Sequence, residues 1–214
     1  MMLLRENGHS YPPVGLTDSE VLPNKPVCVV PMSLRQPIPK DGPKLTTLYS
    51  HFPGAEELPE FVEVPGNKVP EPYHTLLVHP HHMTVTVEKH HGGLVDVRVL
   101  ERCRQGAWYA RKILLALQGT NRVVQFGIMR INLDLCSDAV SAAILREDTP
   151  LGRILIQNNV LRRIEPTAYL KISPNGAMME WFGLSAPLTT YGRLAIIHCD
   201  HKPAVELLEV VAPG

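Results

Sequence analysis

Trp108 to Leu117 (WYARKILLAL), Gln118 to Asn121 (QGTN) and Arg122 to Leu133 (RVVQFGIMRINL) read together as one β-hairpin. The two flanking runs are rich in β-branched, aromatic and leucine side chains, while the four-residue link is polar and carries a glycine able to take a turn conformation. Working outward, Val95 to Leu100 (VDVRVL) alternates valine with Asp96 and Arg98, the period-two signature of a further strand. Ser137 or Asp138 can cap a helix over Ala139 to Arg146, and Thr149-Pro150 opens another, with Thr149 as N-cap and Pro150 as first helical residue. Val160 to Ile172 reads as a strand. Gly192 to Cys199 and Ala204 to Val211 form a second hairpin across Asp200 to Pro203. Hairpins separated by helices indicate an α+β fold on an antiparallel sheet. Val85 to Glu88 (VTVE) alternates like a strand, after a histidine-rich turn containing Pro80.

Composition bounds the classes of function. The chain has 214 residues, 44% hydrophobic and 20% charged, with 21 basic residues balanced by 21 acidic ones. That balance gives no pull toward nucleic acid or an anionic membrane, although a local basic pocket is compatible with it. Cys28, Cys103, Cys136 and Cys199 are widely spaced with no CxxC pair, as expected for reduced thiols in a cytoplasm. Neither a signal peptide nor a run of ~20 apolar residues is present, so a soluble, cytoplasmic protein is expected. Thirteen of the 20 prolines precede residue 75. Residues 1 to 70 are therefore read as a proline-rich arm, with Val27 to Val30 a short strand, that wraps a core or stays partly mobile; residues 71 to 214 are read as the domain.

Four blocks then stand in a particular order: Met83-Thr84; Tyr109-Ala110-Arg111-Lys112; Thr149-Pro150-Leu151-Gly152-Arg153-Ile154-Leu155; and a terminal hairpin with Gly192-Arg193, Lys202-Pro203 and Glu209. In this order and spacing, residues 75 to 213 resemble the chorismate–pyruvate lyase family, whose enzymes begin quinone synthesis in many bacteria. The resemblance implies a six-stranded antiparallel sheet whose helices enclose a buried ligand cavity. It also implies a helix over Thr84 to His90, against the alternation there. The implied activity is a cofactor-independent carbon–oxygen lyase that converts chorismate to 4-hydroxybenzoate and pyruvate. Aromatisation supplies the driving force, so the protein's tasks are to bury, orient and deprotonate.

The resemblance assigns residues to those tasks. Arg111 would hold the ring carboxylate through its planar fork. Lys112, next along the strand, would point to the solvent face. The first amides of the helix at Leu151 and Gly152 are unpaired donors suited to an anion, and Met83 would complete the cradle. Glu209 would meet the hydroxyl end as acceptor or proton donor. Glu206 is the rival, and an offset of three puts the two on opposite faces. Measured from Lys202-Pro203, Glu209 lies one residue late, a slip that a one-residue bulge would absorb. Arg163 and Arg193 match basic positions that could neutralise a second carboxylate.

Two other readings compete. His79, His81, His82, His90 and His91 cluster near Met83, but no HExxH or paired Cys/His spacing accompanies them, so solvated loop histidines are expected and no metal. The same fold also serves as a ligand-sensing domain of transcription regulators. That reading makes the chain a non-catalytic binder of an aromatic carboxylate, although the proline-rich arm shows no helix-turn-helix pattern.

Overall fold

A computed structural model describes residues 32–52 and 58–214. The expected strand at Val27 to Val30 lies outside the described residues. In chain order the elements are a 3-10 turn at Met32–Arg35, α1 (Leu45–Tyr49), β1 (Glu60–Val64), α2 (Tyr73–Leu77), α3 (Met83–His91), β2 (Val95–Gln105), β3 (Trp108–Leu117) and β4 (Val123–Asn132). They continue with α4 (Asp138–Leu145), α5 (Leu151–Gln157), β5 (Arg162–Ser173), α6 (Gly176–Phe182), β6 (Thr190–Cys199) and β7 (Lys202–Val211). All strands join one antiparallel sheet in the order β1-β5-β6-β7-β4-β3-β2. The fold is α+β on a single antiparallel sheet. It has seven strands rather than the six expected, because β1 adds itself to the free edge of β5 from Glu60 opposite Ser173 to Val64 opposite Tyr169.

Local chemistry explains the boundaries. Ser137 caps α4 by accepting from the Val140 amide. Pro150, not Thr149, takes the N-cap of α5: its ψ of 139° is extended, and the helix begins at Leu151. Asp200 and His201 both have positive φ, at 48° and 67°, the pattern of a two-residue hairpin turn. The register of β6 on β7 shifts between Ile197–Val205 and His198–Pro203, which leaves Ala204 as the extra residue of a bulge.

Both faces of the sheet are covered. On one face lie α2 to α5, over cores that include Met129, Ile131, Ile144, Leu155 and Ile197 together with Leu77, Met83 and Val87. On the other, Leu34, Leu45, Leu48 and Phe52 from the proline-rich stretch join Met178 of α6 over Phe126, Ile128 and Leu208. Arg130 anchors that stretch by donating to the carbonyls of Leu34 (3.1 Å) and Gln36 (2.8 Å) and pairing with buried Glu206. Central strands buried on two sides read as near-continuous apolar runs, as β3, β4 and β7 do. This corrects the expectation that Lys112 faces solvent. It is fully buried on the second face, bonded to Glu101 at 2.7 Å and lying over the Phe52 ring.

Candidate functional site

Alternate residues of neighbouring strands share a face, and here the register builds a polar floor. Arg111 stands opposite Met129, Ile113 opposite Gly127, Leu115 opposite Gln125, and Gly127 in turn opposite Glu209. Above this floor meet the starts of α3 and α5, contributing His82, Met83, Thr84, Leu151 and Gly152. Together they enclose about 490 Å³ of unfilled space, mouth included, with walls from Val97, Ile113, Leu115, Ile197 and Leu207. Gly152 permits the two helix starts to approach: a Cβ there would sit 2.9 Å from Thr84 Oγ1 and 3.1 Å from His82 Cβ.

Arg111 is 1% exposed, yet its hydrogen bonding is incomplete. Nη2 reaches the Thr149 carbonyl at 3.4 Å, while Nε and Nη1 have no partner among the described residues. Burial pulls its pKa down, opposed by Tyr109 and Glu147 nearby, and a guanidinium titrates so high that it stays cationic. Glu147 acts on it through charge alone, because its two oxygens accept from Tyr109 Oη at 2.7 Å and from Arg102 Nη1 at 2.6 Å. A buried cation with open donors is costly until an anion meets it.

Glu209 lines the cavity at the next row, and Glu206 faces the opposite side of the sheet. Glu209 Oε2 accepts from Arg193 Nε at 2.7 Å. The remaining nitrogens of Arg193 donate to the carbonyls of Leu77 (3.2 Å), His79 (2.7 Å) and His81 (2.9 Å). Arg193 is thus a clamp that ties the loop before α3 to the sheet, with its guanidinium already committed. Arg163 lies outside this cavity, on the surface, bonded to Glu165 at 2.8 Å.

The histidines are not uniformly solvated, which corrects the expectation for that loop. His82 is buried between the cavity and an outer groove; Arg162 Nε donates to its Nε2 at 2.6 Å. Burial, then Arg162, lowers its pKa to about 4, leaving a neutral wall. His79 Nε2 bonds the Leu76 carbonyl at 2.7 Å. Among the described residues no group of three His, Cys, Asp or Glu is placed to hold a metal, and no helix is long and apolar enough to cross a membrane.

The site therefore brings Arg111, Met83, Leu151, Gly152 and Glu209 around one cavity. Sequence reasoning passed over His82 and Gln125. The signal for Gln125 was its place in VVQFG, a lone amide at a core-facing position of an apolar strand.

No family model matches the chain, and no curated protein matches it. Solved structures do. PhnF from Mycobacterium smegmatis aligns at 10% identity over 63% of this chain and 65% of its own, with a TM-score of 0.41. The effector domain of PhnF aligns at 10% identity over 62% and 88%, TM-score 0.43. A GntR-family transcriptional regulator from Bacillus cereus aligns at 11% identity over 56% and 92%, TM-score 0.37. The match spans less than two thirds of PhnF itself. The expectation of an enzyme, a carbon–oxygen lyase acting on chorismate, is corrected here: the structures that the chain resembles include a GntR-family transcriptional regulator and the effector domain of PhnF. The chain is an α+β protein whose single antiparallel sheet and two helix starts line a cavity.

Proposed function

We propose that this chain is a non-catalytic binding domain for a small aromatic carboxylate. The observation that supports this reading is the Arg111 guanidinium, buried in a largely apolar cavity with Nε and Nη1 unpaired among the described residues. Nε and Nη1 lie on different edges of the planar fork, and either edge, completed by Nη2 beyond its long contact to Thr149, can take a carboxylate bidentately. The first amides of α3 and α5 have no carbonyl partner within their own helices, and they start beside the same space. Ile113, Leu115, Ile197 and Leu207 offer apolar surface to a ring.

Calorimetric titration with benzoate, 4-hydroxybenzoate and benzamide tests the reading. The carboxylates are expected to bind at least about tenfold more tightly than the amide, which has the same shape and no charge. Equal binding of acid and amide would contradict it.

A further inference from the structure

Beyond His82, on the side away from the cavity, an outer groove opens between the turn before α3 and the start of β5. It holds about 1270 Å³ of space, open to solvent, and Arg162, Arg163 and His81 line it with no aspartate or glutamate among the lining residues. A smaller hollow shares Leu161, Arg162 and Arg163 with it and adds His198 and His201, again without an acid. In a chain whose 21 basic residues are balanced by 21 acidic ones, this is a local excess of positive charge. Arg162 is its centre. Nε donates to His82 Nε2 at 2.6 Å and Nη1 to the Val160 carbonyl at 2.9 Å, so the guanidinium is fixed in place. Among the described residues it forms no ion pair, and its Nη2 makes no hydrogen bond. Arg163 differs, because its Nη2 already meets Glu165 at 2.8 Å. Apolar surface adjoins the charge: Val85 is 47% and Leu161 58% exposed, and both line this groove.

We infer that the outer groove is a docking surface for an acidic peptide segment of a partner protein, with an aspartate or glutamate on Arg162 and an aliphatic side chain against Val85 and Leu161. A guanidinium held at two nitrogens presents its remaining N–H groups in a set direction, which suits a carboxylate. Apolar contact supplies affinity here, and charge supplies selection. The groove is larger and more open than the enclosed pockets that small molecules occupy, as a length of chain requires. A nucleic acid fits it less well. A phosphate backbone is held by a run of cations, whereas this lining has no lysine and two arginines, one of them already paired with Glu165. The inference is independent of the Arg111 site.

Selection of random peptides displayed on phage, with the immobilised full chain as target, tests this. The selected pool should be enriched in Asp and Glu over the starting library, with Leu, Ile, Met or Val close by in sequence. A selected peptide labelled with fluorescein, followed by polarisation, should bind at least about tenfold more weakly once its acids are changed to the matching amides, and equally so to Arg162→Met. Leu161→Ser should weaken it at least about threefold. Arg104→Met alters an exposed cation of β2 outside the groove and should leave binding unchanged. Because Arg162 also holds His82, Arg163→Gln is the second variant should Arg162→Met fail to fold, with a loss of at least about threefold expected. No selected pool, a pool without acids, or binding indifferent to both arginine substitutions overturns the inference. An equal loss with Arg104→Met marks general charge attraction and overturns it too. So does tighter binding of a labelled DNA duplex than of any selected peptide, weakened by Arg162→Met, which assigns the groove to nucleic acid.

Discussion

Arg111→Met is the substitution with the most to reveal, because it separates binding from folding. Methionine keeps an unbranched, flexible stem, stops short of the guanidinium and discards the charge, so the apolar part of the wall stays while the unpaired donors disappear. In the complex, loss of a desolvated charge partner costs about 2–5 kcal/mol, so affinity for 4-hydroxybenzoate should fall at least about thirtyfold. In the free protein the sign reverses. Arg111 is 1% exposed with Nε and Nη1 unpaired and only a 3.4 Å contact from Nη2. Replacing a buried unpaired polar group by an apolar one should stabilise by about 1–3 kcal/mol. For a chain of this length that corresponds to a melting temperature higher by roughly 2–10 °C. Titration calorimetry and thermal melts on the same preparations measure both. Unchanged affinity, or a melting temperature that drops by several degrees, would refute the reasoning: the first by showing that Arg111 does not hold the acid, the second by showing that its charge is satisfied in the free fold.

Other perturbations have different signatures. Gly152→Ala would place its Cβ 2.9 Å from Thr84 Oγ1 and 3.1 Å from His82 Cβ; forcing the starts of α3 and α5 apart should cost about 1–3 kcal/mol of stability and weaken acid binding, read by urea titration and calorimetry. Lys112→Ala removes a buried ammonium bonded to Glu101 and seated over Phe52; a loss of about 2–3 kcal/mol in urea titration is expected, with little change in ligand affinity because the side chain points away from the cavity. His51 and His82 are both lowered from 6.5 to about 4, by burial first and then by Arg130 and Arg162 respectively. Between those values the unfolded chain takes up protons that the folded chain refuses, so stability should be complete above about pH 6.5 and decline as pH falls toward 4, by on the order of 2–3 kcal/mol per histidine. Urea midpoints at pH 7.5 and 4.5 measure the decline, and His82→Asn should remove its share of the slope.

Both hairpins were legible because their strands are long, apolar and joined by turn residues. Alternation also separates Glu209 from Glu206, since three residues apart on a strand means opposite faces. Alternation failed at Val85 to Glu88, which lies inside α3. That helix buries Met83 and Val87 on one face, four residues apart, and ends at Gly92 with φ at 67°; tertiary packing overrides the β-preference of VTV. The strand β1 escaped because EFVEV is short, mostly exposed and flanked by Pro59 and Pro65. Lys112 was placed on the wrong surface for a non-local reason. Residues 34 to 52 and α6 cover the second face of the sheet; the near-continuous apolar run of β3 signals burial on both faces but does not say which distant segments supply the second layer. Arg111 was legible as a candidate through its charge within an apolar strand. Gln125 was not, because it carries no charge and its open valence exists only once Leu115 and Val211 enclose it.

Binding without turnover is the core of this account, and chorismate tests it in one preparation. The chain is incubated with chorismate while pyruvate and aromatic product are followed, and 4-hydroxybenzoate is titrated calorimetrically into the same sample. The account predicts saturable binding of 4-hydroxybenzoate that depends on Arg111, with no pyruvate released above the uncatalysed background. Repeated turnover of chorismate to pyruvate, abolished by Arg111→Met, would contradict it.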